Sequence, residues 1–444
     1  MMVSPKGTAG DSRAGSLWPT SRRSFLKQAG LGCAIIAAAS GMAPLLGALA
    51  PTAEFDCYGG WKRIRGAKTG FFHVQKIKGW WWLITPEGNG FFSKGVGHIT
   101  AEKESDSSPA PPTDRAKWLA DTIRQLRGWN FNTVGGSSDP SFANADFVFA
   151  LTLGMSSHGG DLSRRIADYF SQDFRDAADR VAKQRCAPLA DNPWLLGYFT
   201  DNELRWGPEP PMITESLLEV YLKMAPSAPG RQKAEALLTD RTTTDTVRES
   251  APSTITDADK EVFLEIAAAE YARVAREAIR RYDPNHMVLG CRLEDDPVPD
   301  PAMLRGTGPY FDVISYQPYY SKVPVALMKM LTDVTGKPSM VTEFSFKAMD
   351  SGLPNTKGAG KPVATQQDRA DSFAAVVETL ADLPGCVGFQ WFQYRDQPRE
   401  GRRRDGENSN YGVVRLDGTP WKVLTDRMTE VNATLERRRA AQMR

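Results

Sequence analysis

Glu203 lies in the run Gly197-Tyr198-Phe199-Thr200-Asp201-Asn202-Glu203-Leu204-Arg205-Trp206-Gly207, whose apolar strand leads into an Asn-Glu pair set among aromatics and a glycine. Far downstream, Glu343 sits at the end of a second apolar run, within Met340-Val341-Thr342-Glu343-Phe344. Two carboxylates at strand ends suit cleavage of a glycosidic bond. One serves as acid and then base, the other as nucleophile, and in retaining enzymes they stand ~5–5.5 Å apart. The acid must begin protonated, which apolar surroundings or a charged neighbour can arrange, while the nucleophile must stay ionised. Asn202 adds an amide able to donate to a sugar hydroxyl. Either glutamate alone also fits a strand-end ion pair with an arginine; it is the pair that implies chemistry.

Such a pair needs a scaffold that brings distant strand ends together. From residue 91 onward, short apolar segments alternate with helical ones. The strands read as 91–99, 131–134, 147–151, 195–199, 287–291, 311–315, 339–342 and 387–391. The helices between them include 116–127, 173–186 and 261–282, the last with Phe263, Ile266, Ala267 and Tyr271 at helical spacing. Strands that are apolar on both faces and separated by helices belong to a parallel, fully covered sheet. Eight such units predict an α/β fold, a single (β/α)8 TIM barrel whose site lies at the C-terminal ends of the strands. Glu203 then ends the fourth strand and Glu343 the seventh, facing one another across the mouth.

Two segments flank this barrel, which spans 91–430, and one interrupts it. Residues 54–90 carry two alternating segments joined by Lys78-Gly79 and followed by Pro86-Glu87-Gly88-Asn89-Gly90, a hairpin suited to plug the barrel. A long insertion at 208–259, directly after Glu203, reads as one wall of a cleft. The end of the chain, 431–444, reads as a basic tail, with Arg437-Arg438-Arg439, like Arg402-Arg403-Arg404, taken as solvated surface.

With 55 basic against 53 acidic side chains, bulk charge implies no polyanionic partner such as nucleic acid. The first 53 residues read as a targeting signal. Ser21-Arg22-Arg23-Ser24-Phe25-Leu26-Lys27 is a twin-arginine pattern, and the apolar run 29–50 behind it is rich in Ala and Gly and broken by Pro44. The expectation is export in folded form through the Tat translocon to the periplasm or beyond, with no stable membrane span after processing. The cysteines form no C-x-x-C or Cys/His ligand spacing, so neither metal nor cofactor is expected and buried free thiols are the default.

Three stretches carry a family resemblance: the Glu203 run above, Thr342-Glu343-Phe344-Ser345-Phe346-Lys347-Ala348-Met349-Asp350-Ser351-Gly352, and Phe389-Gln390-Trp391-Phe392-Gln393-Tyr394-Arg395-Asp396-Gln397-Pro398. With Asp405-Gly406-Glu407-Asn408, they resemble the β-agarases of glycoside hydrolase family fifty, in clan A, over residues 60–425. The resemblance implies a retaining hydrolase of a β-linked galactan, with a polysaccharide or oligosaccharide as substrate. It makes Glu203 the acid/base, Glu343 the nucleophile and Asn202 the partner of the sugar 2-hydroxyl. Trp391, ending the eighth strand, would stack under the sugar. Tyr319, or Tyr320 in its place, would hold the nucleophile. Arg292, His98, Gln393 and Asp396 complete the implied set, although His98 also reads as a structural histidine. Ser345 stands where agarases carry histidine, and little chain precedes the hairpin to form a separate N-terminal carbohydrate-binding domain. Another β-glycan as substrate, or a barrel that binds sugar without cleaving it, are the alternatives.

Overall fold

The computed structural model describes residues 53–443 apart from 104, 157–159, 162–165, 209–213, 245–254 and 296. The twin-arginine segment and parts of the 208–259 insertion lie outside the described residues.

The centre is a parallel sheet of nine segments: Ser93–Val96, Thr133–Val134, Val148–Thr152, Leu195–Phe199, Met287–Val288, Leu293–Glu294, Ile314–Gln317, Ser339–Val341 and Cys386–Trp391. Met287–Val288 and Leu293–Glu294 stand at opposite ends of the pairing order, yet they are neighbours in the chain. The first pairs with Leu195–Phe199 and the second with Ile314–Gln317. Between them the backbone turns at Gly290 (φ +86°) and Arg292 (φ +53°). The amide of Asp312 donates to the Val288 carbonyl, carrying the ring across the break. Nine segments therefore fill eight positions of a TIM-like barrel, and strands are counted below by those positions.

Helices Arg115–Gly128, Gln172–Arg185, Asp257–Tyr282, Pro301–Thr307, Val325–Thr335 and Gln366–Ala381 cover the sheet. Their starts are sequence-encoded: Asp114 and Ser171 accept from backbone amides, and Thr256–Asp259 and Thr365–Asp368 form capping boxes. The insertion after the fourth strand contributes helices Leu217–Leu222 and Pro229–Thr244. It is tied down by Tyr221, whose hydroxyl donates to the Ala167 carbonyl and whose ring packs on Phe263.

Before the barrel lies a four-stranded antiparallel sheet of Trp61–Arg65, His73–Ile77, Trp80–Ile84 and Asn89–Phe91. Leu83 and Phe91, together with Phe72, join one buried cluster with Val148, Leu196, Leu289, Val313, Met340 and Val387, residues that the strands turn into the barrel. The antiparallel sheet and the barrel strands thus share one buried apolar cluster.

The end of the chain departs from expectation. Residues 431–443 are not a solvated tail but include a helix, Leu435–Ala441, with Arg439 fully buried. Its guanidinium donates to the carbonyls of Ala381, Leu383 and Trp81 at 3.0, 2.9 and 2.6 Å, and lies 4.9 and 5.0 Å from the Trp80 and Trp82 rings. Carbonyl dipoles and ring faces replace water around the charge. Arg437 remains on the surface, 57 % exposed. Cys57, Cys186, Cys291 and Cys386 are buried free thiols. No helix among the described residues is long and apolar enough to cross a membrane.

Candidate active site

Seven non-glycine residues among those described have positive φ, and four of them lie at the C-terminal ends of barrel strands: His98, Ser137, Glu203 and Arg292. A left-handed backbone costs such residues about 1–3 kcal/mol each and persists only where surrounding contacts enforce it. Those contacts are present. The Glu203 amide donates to the Arg292 carbonyl at 3.1 Å, so the kinks ending strands four and five brace each other. The Arg292 amide donates to Ser315 Oγ at 2.8 Å, and its guanidinium donates to Ser137 Oγ at 3.0 Å. Gly136 leaves the space it needs, since a Cβ there would stand 3.3 Å from the guanidinium carbon and 2.8 Å from Thr152 Oγ1.

Glu343 is the focus of these groups. It is 5 % exposed, yet both carboxylate oxygens are engaged. Arg292, fully buried, donates to Oε1, as does His98 Nε2 at 2.9 Å, while Tyr319 Oη donates to Oε2 at 2.7 Å. Burial alone would push this carboxyl up. The Arg292 charge and the hydrogen bonds of His98 and Tyr319 outweigh it and bring Glu343 to about 2. His98 is driven the other way. Burial lowers it, Glu343 opposes, and the nearby charges of Arg292 and Arg402 add to the lowering, so the ring is neutral and donates from Nε2. Burial, with Glu343 next, raises the Tyr319 phenol well above its ordinary range, which keeps its proton in place as a donor.

Glu203 is in a different setting. It is partly exposed at the mouth, and its charge reaches Tyr319, the same hydroxyl that binds Glu343. Beside it, exposed Asn202 accepts from Gln317 Nε2 at 3.1 Å. Asp201, in contrast, turns inward. Tyr271 Oη donates to it at 2.7 Å and Ser156 donates through both its amide and its hydroxyl. Burial raises Asp201 to about 6, and these donors only partly oppose it. It anchors the strand end from which Asn202 and Glu203 project.

Two residues of the sequence-derived set lie elsewhere than expected. Trp391 is fully buried outside the barrel, packed edge-on to Phe344 and Phe373 at 5.3 and 5.7 Å, with its indole donating to the Tyr411 carbonyl at 2.8 Å. It has no face open to a sugar. The cause is a bulge: Ser339 pairs with Cys386 but Val341 with Phe389, so one strand advances two residues while the other advances three. Side chains beyond the slip exchange faces. Val387 points into the lumen, but so then do Gln390, whose Oε1 accepts from the Gly136 amide, and Phe392. Phe392 is the aromatic at the mouth, 4.7 Å from the His98 ring and 6.2 Å from Tyr319. Asp396 is 2 % exposed and satisfied within its own loop by Asn410, Gly412 and Trp421, at 2.8, 2.8 and 2.7 Å. Burial raises it to about 6. Gln393 shares a small recess with His98, but its amide already serves Arg395 and Arg402.

The charge run 402–404 needs a further correction. Arg403 and Arg404 are 64 and 78 % exposed, but Arg402 is 8 % exposed. It pairs with Asp405 at 2.8 Å and Glu407 at 2.6 Å, and its guanidinium lies 5.9 Å over the Phe392 ring. Sequence reading missed both Arg402 and Phe392. The Arg402-x-x-Asp405-x-Glu407 spacing was the one local signal that this arginine has carboxylate partners.

The fold and these strand ends define a TIM-like barrel carrying a buried, ionised carboxylate and a second, more open one. No family model matches the chain. It is 28 % identical over 478 aligned positions to β-agarase B of Vibrio sp. (strain JT0107), covering 84 % of this chain and 49 % of that protein. β-Agarase A of the same strain is 26 % identical, with 82 and 45 % covered. The chain thus spans about half the length of the curated relatives it matches. Among solved structures, the agarase AgWH50C superposes with a TM-score of 0.75 at 25 % identity, covering 88 % of this chain and 67 % of that one. In sequence and in fold the chain is agarase-like.

Proposed function

We propose that this protein is a retaining glycoside hydrolase of clan A that cleaves a β-linked galactan. The observation that carries this reading is Glu343, a buried carboxylate held ionised by Arg292, His98 and Tyr319 at the end of the seventh strand, with Glu203 ending the fourth. Oε1 takes two donors and Oε2 one, so Oε2 keeps a lone pair for attack. In the first step an oxygen of Glu343 bonds to the anomeric carbon, the glycosidic bond breaks, and the proton of Glu203 passes to the departing oxygen. In the second step Glu203 takes a proton from water, whose oxygen displaces Glu343 from the anomeric carbon. Asn202 donates its amide to the 2-hydroxyl, a bond that strengthens as positive charge grows at the ring. The β-agarase relatives support a galactan as substrate. In this reading the N-terminal sheet plugs the barrel, the 208–259 insertion walls the cleft, and the twin-arginine motif directs export.

The test is a polysaccharide panel of agarose, porphyran, carrageenan, arabinogalactan, mannan and β-glucan, run on the native chain and on Glu203→Gln and Glu343→Ala. Hydrolysis of a galactan, lost in both variants, with the β-anomer formed first by NMR, is the expected outcome. Variants as active as the parent refute the catalytic roles. A first-formed α-anomer refutes retention, and activity confined to a non-galactan refutes the substrate.

A further inference from the structure

We infer that Gln317 is a positioning residue that sets which end of the Asn202 amide faces the substrate. The inference rests on the glycosidase reading above and extends it to a residue outside the carboxylate pair. Gln317 ends the sixth strand and is fully buried, whereas Asn202 is exposed at the mouth. Gln317 Nε2 donates to Asn202 Oδ1 at 3.1 Å. With its oxygen so engaged, Asn202 turns Nδ2 away from the barrel wall, and Nδ2 can only donate. A sugar hydroxyl at the mouth is then met by an N–H rather than by a second acceptor.

The other end of Gln317 supports this role. Its Oε1 is buried and has no hydrogen-bond partner among the described residues. Leaving a buried acceptor unpaired is costly, and a leucine would fill the same space without that penalty. Among the described residues the amide's one bond goes to Asn202, so packing does not account for a glutamine here, whereas orienting Asn202 does. An exposed amide held in one rotamer also loses less freedom when substrate arrives.

The experiment compares Gln317→Leu, Asn202→Ala and the double variant on the galactan oligosaccharide that the panel identifies. The same oligosaccharide carrying a 2-deoxy sugar at the cleaved residue is run alongside. Gln317→Leu should lower kcat by roughly 10–100-fold with KM little changed, the loss expected for one transition-state hydrogen bond. The double variant should be no slower than Asn202→Ala alone. On the 2-deoxy substrate Gln317→Leu should match the parent within about twofold. Gln317→Glu, which keeps the shape but when ionised only accepts, should turn the Asn202 amide over and be no faster than Gln317→Leu. Equal losses on both substrates, additive losses in the double variant, or Gln317→Leu and Gln317→Glu turning over at the parent rate would each overturn the inference. If Glu203→Gln and Glu343→Ala abolish turnover while Gln317→Leu does not slow it, only this inference falls. If they leave turnover intact, the glycosidase reading falls first.

Discussion

Replacing Arg292 with methionine should raise the acid limb of the pH–rate profile. In the native site burial pushes Glu343 up, but Arg292, His98 and Tyr319 together bring it to about 2 from an ordinary 4.5. That gap is worth about 3 kcal/mol at ~1.36 kcal/mol per tenfold change in proton affinity. Arg292 supplies the largest part of the opposition to burial, and it is itself fully buried. Removing one partner of a buried ion pair costs ~3–5 kcal/mol, which proton uptake by the orphaned carboxylate can relieve, raising its pKa by roughly 2 to 3.5. Glu343 in Arg292→Met should then titrate between roughly 4 and 5.5. His98 limits the rise. It loses one of two arginine charges that hold it neutral, so it takes up a proton more readily and partly replaces the missing charge. The assay is kcat/KM against pH, which reports ionisations of the free enzyme. The parent should show no acid limb from Glu343 down to the lowest pH at which it remains folded, while Arg292→Met gains one within the measured range. Linkage gives a second readout. A carboxylate depressed in the folded state contributes stability in full above about pH 4.5, and that contribution is lost as pH falls toward 2. The parent's Tm should therefore drop over that window more steeply than the variant's. A variant whose acid limb and Tm profile both overlay the parent's would refute the charge argument, whatever its activity at neutral pH.

Two further substitutions separate neighbours that the sequence does not distinguish. Phe392→Ala removes the ring against His98 and Tyr319 and should lower kcat/KM by roughly tenfold or more, since two of the three donors to Glu343 lose their backing. Trp391→Ala should do the reverse, costing about 3–5 kcal/mol of stability as a core cavity while the folded fraction keeps its KM. Thermal denaturation and steady-state kinetics on the pair check both, and a KM effect confined to Trp391→Ala would show that the indole meets the sugar after all. Arg439→Met should lower Tm while leaving kcat and KM at the parent values, because it strands three carbonyls at the far end of the chain and touches nothing at the mouth.

What the sequence discloses divides by how far the information must travel. Glu203 and Glu343 stand out in the sequence because the proposed chemistry needs carboxylates and each sits at the end of its own apolar run. The alternation of apolar and helical segments likewise suffices for a TIM-like barrel. The break in the fifth strand is half visible, in Gly290, but that its two parts pair with different neighbours depends on strands four and six. Trp391 marks where local reading ends. Counting alternate residues from Val387 brings it to the lumen, and nothing in Cys386-Val387-Gly388-Phe389 says that the seventh strand will be one residue short opposite them. A single slip passes the mouth position from the indole to the phenyl ring beside it. Arg402 and Arg439 fail for a related reason. A run of three arginines reads as solvated, yet each run turns one guanidinium inward, to carboxylates in one case and to carbonyls and tryptophan faces in the other. Residue type points to the candidate carboxylates, whereas face and partner are settled between elements, and the groups that tune Glu343 belong to the second kind. Arg292, His98 and Tyr319 come from the fifth, first and sixth strand ends, and no spacing in the chain relates them. Their convergence on one carboxylate is therefore stronger support for a working nucleophile than either glutamate's position alone.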